Sequence, residues 1–398
     1  MEMAIKAAEQ NWLAAKKTFW PKIDIYNRGG WSYREFPASR WQLGDSSFWA
    51  PADKGFFVNQ GISISIPLLE EGSFLGIRAP TTMAAKSFYD AQKYLYLATK
   101  AERIEELAQR YLDVSRNTQE VQAAKDNLYF CEWVFKVTKD KYHKKLASKF
   151  DLKQAQLNHK KAKLQLSQAS AKLEGSKARL ARMLGVTLSE IEEESFPFPQ
   201  IEPPPSSLRP LLESFKKRNP QLLAQKATRD QLLHEYRAER REYWPKVKAE
   251  IAWLFHNKPK ADTQEQGYVG VYIDWQFGFD MIHRVREKLF DYRKANYDYR
   301  ALLQDMEQEL IDRFYRLKDL YFEILNAETE LESKSLSLKA IKEKFALGLV
   351  TLESVYSARA DLSEAEKNLM DLKSEYIMEV ISLKHQAGLT WWDPWPNP

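Results

Sequence analysis

The sequence predicts a mainly helical chain with a transmembrane β portion, laid out twice on one plan. Three observations carry that prediction. Residues 81 to 174 contain neither glycine nor proline, and residues 279 to 387 contain only Gly348, so two long stretches run without the residues that interrupt helices. "KYHKKLASKFDLKQAQL" at 141 to 157 is matched by "KFALGLVTLESVYSARA" at 344 to 360, at a constant offset of 203 that extends over roughly fifty residues. Each long run also follows a pair of segments in which apolar and polar residues alternate.

Composition narrows the class. Charged residues make up 29% and aromatics 13% of the 398 residues; the Ala/Leu/Glu/Lys-rich stretches read as helical rods, and the aromatic share exceeds what a plain coiled coil needs. A net charge of +5 is small for this length and does not argue for nucleic acid. The single Cys131 excludes an intramolecular disulfide and a cysteine-based metal site. No 18-residue apolar stretch exists, so no transmembrane helix is expected. The opening "MEMAIKAAEQNWLAAKKTFWPK" lacks the apolar core of a signal peptide, which implies either a cytosolic protein or a start downstream of the true one.

The elements follow in order. Residues 1–194 form the first repeat, 195–207 a linker and 208–398 the second repeat. A helix closes at Trp20-Pro21 in the first repeat and at Trp244-Pro245 in the second, because proline removes a helical hydrogen bond and clashes with the preceding turn. Strand pairs are expected at about 22–34 and 56–69, joined by the long "PASRWQLGDSSFWAPADKG", and at about 246–256 and 268–278, joined by the turn-rich "HNKPKADTQEQG". Ile62, Ile64, Ile66 and Leu68 alternate with Ser63, Ser65 and Pro67; Val247, Ala249, Ile251, Trp253 and Phe255 form one side of a strand whose partner carries Val269, Val271, Ile273, Trp275 and Phe277.

Long helical hairpins follow at about 78–185 and 280–388. The helix ending near Gly348 would reach about 100 Å at 1.5 Å per residue. In the returning helices Val355, Leu362, Leu369, Tyr376 and Leu383 are spaced by seven, with Ala358, Ala365 and Leu372 three residues on; the first repeat gives Leu152, His159, Leu166, Leu173 and Leu180 with Ala155, Ala162 and Ala169. These are the two stripes of a coiled-coil seam, with alanine allowing close helix approach. The linker "SFPFPQIEPPPSS" excludes helix by its prolines.

Two-stranded hairpins are not stable alone, so four such strands must find partners in other chains. Their length suits a transmembrane strand of about 9 to 11 residues. Trp20, Trp31, Trp49, Phe56, Trp244, Trp253 and Trp275 cluster in or beside them, either as an interfacial girdle or as an aromatic core.

With its Trp-Pro helix-to-strand junctions, "YIDWQFGF" at 272 to 279, the "KFALGLVTLESVYSARADLSEAEKNL" tip and the terminal "LKHQAGLT", the chain resembles the TolC family of outer-membrane efflux proteins over essentially its whole length. The resemblance implies a homotrimer in which four strands per chain build a twelve-stranded barrel in outer-membrane lipid, while duplicated helical hairpins build a periplasmic α-barrel. It implies a passive exit duct of a tripartite efflux pump or type I secretion system, with no cofactor. The family's hairpin tips meet a periplasmic adaptor protein and, through it, an inner-membrane pump; by position this points to Lys145, Leu146, Ala147 and Ser148, and to Leu347, Gly348, Leu349, Val350 and Thr351. Acidic residues just past the tips help close the family's periplasmic aperture. Asp151 matches one of them, whereas Ser354 and Ser357, with Glu353 nearby, stand where the second hairpin's acids are expected.

Since the place equivalent to Gly348 is Lys145, glycine is not expected to be required by the turn itself; a bare backbone there would let a partner helix approach. Fourteen Lys and Arg face three acids between Lys136 and Arg182, which reads as a solvated helix face that favours an acidic neighbour in a ring of hairpins. Nucleic acid is disfavoured because stacking aromatics are missing beside the lysines. The six histidines show no HExxH or paired metal spacing, and no Gly-rich phosphate loop or nucleophile elbow exists, so no catalytic residue, metal ligand or enzyme activity is expected. The alternative is a soluble coiled-coil structural or adaptor-like protein without a transport role.

Overall fold

The computed structural model describes residues 1–32, 39–43, 46–50, 55–192, 196–258, 261–390 and 392–395. The predicted strand residues Tyr33 and Arg34, the start of the linker at Ser195 and the side chains of Trp49 and Phe56 lie outside what is described. The elements are α1 (Glu2–Lys17), β1 (Lys22–Ser32), β2 (Ser39–Leu43), β3 (Ser46–Ala50), β4 (Gly55–Glu70), β5 (Ser73–Phe74), α2 (Pro80–His143), α3 (Lys149–Leu184), α4 (Leu188–Glu192), α5 (Arg209–Arg218), α6 (Pro220–Arg241), β6 (Lys246–Lys258), β7 (Ala261–Asp274), α7 (Asp280–Ala346) and α8 (Leu352–Gln386).

Packing groups these elements into two compact units, each drawing on both sequence repeats: Met1–Leu97 with Pro220–Gln304, and Ala98–Asn219 with Asp305–Pro398. The first holds an antiparallel sheet in the order β1-β4-β6-β7. β4 is the centre of the register, pairing Ile64 with Ile23 of β1 and with Ile251 of β6. Beside the sheet, Trp12 stacks on Tyr89 with ring centroids 5.8 Å apart, and Arg284 reaches Glu239 at 3.3 Å and Glu242 at 3.4 Å. After β4 the chain reverses into β5 through Glu71 and Gly72, both at positive φ; two such residues make the tight hairpin turn whose twist matches its strands.

Two strand expectations need correction. β7 starts at Ala261, where it pairs with Lys258, and ends at Asp274 opposite Lys246; its partner begins after Pro245, so Trp275 to Gly278 have nothing to pair with. Trp275 instead donates its indole N–H to the Tyr243 carbonyl at 2.9 Å. The long connection between β1 and β4 carries a small hairpin of its own, β2 against β3, which "SRWQL" and "SSFWA" did not signal by strict alternation.

The second unit is built from the two hairpins, α2 with α3 and α7 with α8. Ala155, Ala162 and Ala169 are buried, while Leu152, His159, Leu166 and Leu173 are half-buried; the alanine stripe is the closer contact because its short side chains let backbones approach. In α8 Val355, Leu362, Leu369, Tyr376 and Leu383 are buried together with Ala358 and Ala365, and Leu372 is half-buried. His159 stacks on Phe135 with ring planes 7° apart, a packed seam residue. All four helices meet in one core of Phe130, Cys131, Val134, Ala162, Leu338, Phe345, Val355, Ala358 and Leu362.

The linker is extended and stitched to the helices. Tyr111 donates to the Pro197 carbonyl at 2.9 Å and Tyr376 to the Glu202 carbonyl at 2.5 Å, giving its backbone acceptors the partners a proline-rich strand lacks. Lys384, almost fully buried, lies 3.4 Å from Glu202 and 4.9 Å from the Trp395 ring.

Candidate functional site

The two hairpin tips share one turn. At the first, Leu146 N–H donates to the Lys141 carbonyl at 2.8 Å and Lys145 N–H to that of Tyr142 at 3.0 Å; at the second, Leu349 donates to Lys344 at 2.9 Å and Gly348 to Phe345 at 3.0 Å. Both are the nested pair of bonds that closes a helix when the residue after its cap turns left-handed. Lys145 has φ of 60° and Gly348 of 81°. Glycine is thus not required by the turn, since Lys145 makes the same one; what the turn asks for is positive φ at both places, which glycine adopts freely and lysine adopts against its Cβ. A Cβ at Gly348 would meet nothing within 4 Å, so its substitution costs backbone conformation alone. Gly348→Ala is expected to destabilise by about 1 kcal/mol and Lys145→Gly to stabilise by a similar or smaller amount, read as opposite shifts in thermal unfolding midpoint.

Each returning helix begins with a side-chain cap. Ser148 Oγ accepts from Asp151 N–H at 3.1 Å, and the Asp151 carboxylate accepts from the Ser148 backbone at 3.0 Å and its hydroxyl at 2.7 Å, a reciprocal capping box. In α8 Thr351 Oγ1 accepts from Ser354 N–H at 3.3 Å and lies 2.9 Å from the Ser354 hydroxyl. Asp151 and Ser354 thus hold the same cap position, and a serine in place of an aspartate there changes the cap's charge rather than its existence. Glu353 and Ser357 are exposed on the first turns of α8. Lys145, Ser148 and Thr351 are exposed, Ala147 and Val350 half-buried, and Leu146, Leu347 and Leu349 are each more than 70% exposed.

Behind the tips, the hairpins are tied together. Lys141 Nζ donates to the Phe345 carbonyl at 2.5 Å and sits 4.0 Å from the centre of its ring; burial pushes the Lys141 ammonium below its usual range. Deeper in, Arg359 is buried with its Nε and one Nη unbonded, and its nearest counter-ion, Glu366, lies 3.8 Å away. Burial raises the Glu366 carboxyl, which Arg359 partly offsets, and lowers Lys342, which Arg359 lowers further. Burial also raises the Tyr356 phenol to about 12. The heptad spacing passes over Arg359; the i, i+7 pairing with Glu366 was the one sequence signal available.

The sheet presents a second feature. On one face Ile23, Ile64, Ile251 and Val269 form a cross-strand row, with Ile25, Ile62 and Trp253 in the next, and all of these are exposed. Ser63, Glu250 and Ala252 on the other face are buried. This inverts a water-soluble sheet, in which the apolar face is covered. Trp20, Trp244 and Trp275 are exposed where the strands join the helices, and Trp31 toward the other end. Among the described residues no helix is long and apolar enough to cross a membrane, and no group of His, Cys, Asp or Glu is arranged to hold a metal.

An apolar-out sheet with tryptophans toward both ends, in a chain that also holds two long helical hairpins, is the pattern of a membrane β-barrel protein. The sequence model of the outer membrane efflux protein family matches residues 1–186 and 211–389, leaving out the linker, and the chain belongs to that family. Its fold is that of VceC from Vibrio cholerae (TM-score 0.80, 15% identity, 98% of this chain and 92% of that one), CmeC from Campylobacter jejuni (0.75, 16%, 98% and 83%) and the MtrE channel of Neisseria gonorrhoeae in its open state (0.73, 13%, 97% and 84%). No curated protein sequence matches significantly. The chain is an exit duct for efflux, placed in the outer membrane with a periplasmic extension.

Proposed function

We propose that three copies close one duct and that its tips dock a periplasmic adaptor linked to an inner-membrane pump. The sheet supports the closure: β1 and β7 are its two edges, and because each neighbour in the order is antiparallel, β7 of one copy meets β1 of the next antiparallel as well. Twelve strands then leave no edge open. The apolar rows face lipid and the polar face lines the lumen. The observation that carries the docking reading is the set of bare leucines, Leu146, Leu347 and Leu349, that the two turns leave exposed. At the aperture Asp151 and Ser354 are occupied as helix caps, so exposed Glu353, with Ser357 one turn on, is the second hairpin's charge left to bear on closure.

The test is membrane fractionation with cross-linking, alongside Leu347→Glu/Leu349→Glu. A heat-sensitive trimer in the outer membrane, with the double variant still trimeric yet no longer cross-linking to its adaptor, is the expected result. A soluble monomer or dimer would sink the duct, and undiminished adaptor capture would sink the docking role.

A further inference from the structure

The two hydrogen bonds on the linker hold it at Pro197 and Glu202, and the residues between them, Phe198 to Ile201, form one wall of a cavity of about 820 Å³. The other walls come from α2, α7 and α8 of the same unit. Most of the lining is apolar, with Ile324 and Leu369 buried and Tyr321 and Met370 half-buried. That is the size and character of a site for a drug-sized molecule. The linker wall belongs to the segment that the family model leaves out, so the cavity does not follow from membership of the family.

The cavity is elongated and its two ends differ. α7 lines it from Tyr321 to Leu331, about 15 Å along the helix axis. The linker stands at the Tyr321 end, where Tyr376, which holds the linker, has its ring 6.0 Å from that of Tyr321. At the end nearer the hairpin tips stand Asp126 of α2 and Glu366 of α8. Asp126, Glu328 and Glu366 line the cavity against one cation, Lys373, which is already paired with Glu328 at 2.7 Å. Asp126 accepts a hydrogen bond from Gln122 at 3.2 Å and forms no ion pair among the described residues. Glu366 lies 3.8 Å from Arg359, beyond hydrogen-bond reach, and its Oε2 is buried without a partner. Burial raises the Glu366 carboxyl, Arg359 lowers it and Asp126 raises it again, so the two carboxylates feel each other's charge. That end of the cavity is short of a cation.

We propose that this cavity binds an amphipathic organic cation, its ammonium seated between Asp126 and Glu366 and its apolar ring against Tyr321 and Phe198. The order of the walls sets the order of the ligand: charge at one end, ring at the other, joined by a short apolar chain. An anion of the same shape would add a third like charge to the two carboxylates. A neutral molecule would cover those carboxylates without pairing them. A bare divalent cation would leave the apolar walls unused and needs a fuller set of oxygen ligands; no group of His, Cys, Asp or Glu among the described residues is arranged for one. Two aromatic walls suit a ring, which stacks on them at little cost in solvation. The site lies within one chain, so it stands or falls apart from the trimeric and docking readings.

The test uses the purified full chain in nonionic detergent, with detergent alone as the blank, and two fluorescent probes on one ring system. Dansylcadaverine carries an ammonium on a short chain, and dansyl-6-aminohexanoate a carboxylate on a similar one. The ammonium probe is expected to bind saturably, once per chain, with a rise in emission, and the carboxylate probe to show no saturable binding. Asp126→Lys, at an exposed position, is expected to weaken the ammonium probe by about tenfold or more, and Ile201→Trp, which fills the cavity and leaves its charges in place, to abolish its binding. Unchanged thermal unfolding midpoints show that the variants fold, and the comparison of the two probes on the unaltered chain decides the charge preference without any variant. Equal binding of both probes, or ammonium binding that survives Asp126→Lys, would overturn the cation; ammonium binding that survives Ile201→Trp would overturn the cavity.

Discussion

Ile64→Arg is expected to remove the protein from the outer-membrane fraction. Ile64 stands near the middle of β4, in the row Ile23, Ile64, Ile251 and Val269 on the exposed face. An arginine on the lipid side of a barrel strand costs about 2–4 kcal/mol at the bilayer midplane, and in a trimer the cost recurs in every copy. Ser65→Lys, one residue along and therefore on the opposite face, is the matched control. Ser65 sits level with Lys22 and Glu250, so a lysine there has a carboxylate neighbour and is expected to leave membrane insertion intact. Equal behaviour of the two variants in fractionation would mean that the exposed face does not meet lipid.

Tyr376→Ala is expected to lower stability by about 3–5 kcal/mol, the range for removing a large buried aromatic ring. Tyr376 is 1% exposed on α8, its ring 6.0 Å from that of Tyr321 and its hydroxyl bonded to the linker at Glu202. Tyr376→Phe isolates the hydroxyl: it keeps the ring and loses one hydrogen bond, for about 1 kcal/mol. Burial raises the phenol well above its ordinary value, so the hydroxyl stays protonated as a donor throughout the neutral range. Thermal unfolding of the three proteins separates the terms, and a Phe variant as damaged as the Ala variant would place the weight on the linker bond.

The helices were legible because their signals are local and cumulative: the absence of Gly and Pro, the seven-residue spacing that ends in buried Val355, Leu362 and Leu369, and the offset that brings Ser148 onto Thr351. The strand faces were legible from alternation at Ile62 to Leu68. What escaped was set by partners distant in sequence. The end of β7 depends on where Pro245 lets β6 begin, and the cap role of Asp151 follows from a turn that a lysine at position 145 does not advertise. Nothing local at Arg359 announces that it is buried, since the heptad stripe of α8 passes it by and its neighbours come from elsewhere in the fold. The linker's prolines showed that it is extended, but not that Tyr111 and Tyr376 hold it.

The matched turns at Lys145 and Gly348 bear on counting. In a trimer a docking partner that read backbone shape alone would meet six equivalent sites, because both turns have the same hydrogen bonds and the same left-handed residue. Their side chains differ: Lys144, Lys145 and Lys149 crowd the first, while Leu347, Leu349 and Val350 surround the second. A partner that reads side chains meets three sites of each kind in alternation. The number of partner subunits bound per duct therefore reports which of the two, main chain or side chain, is recognised.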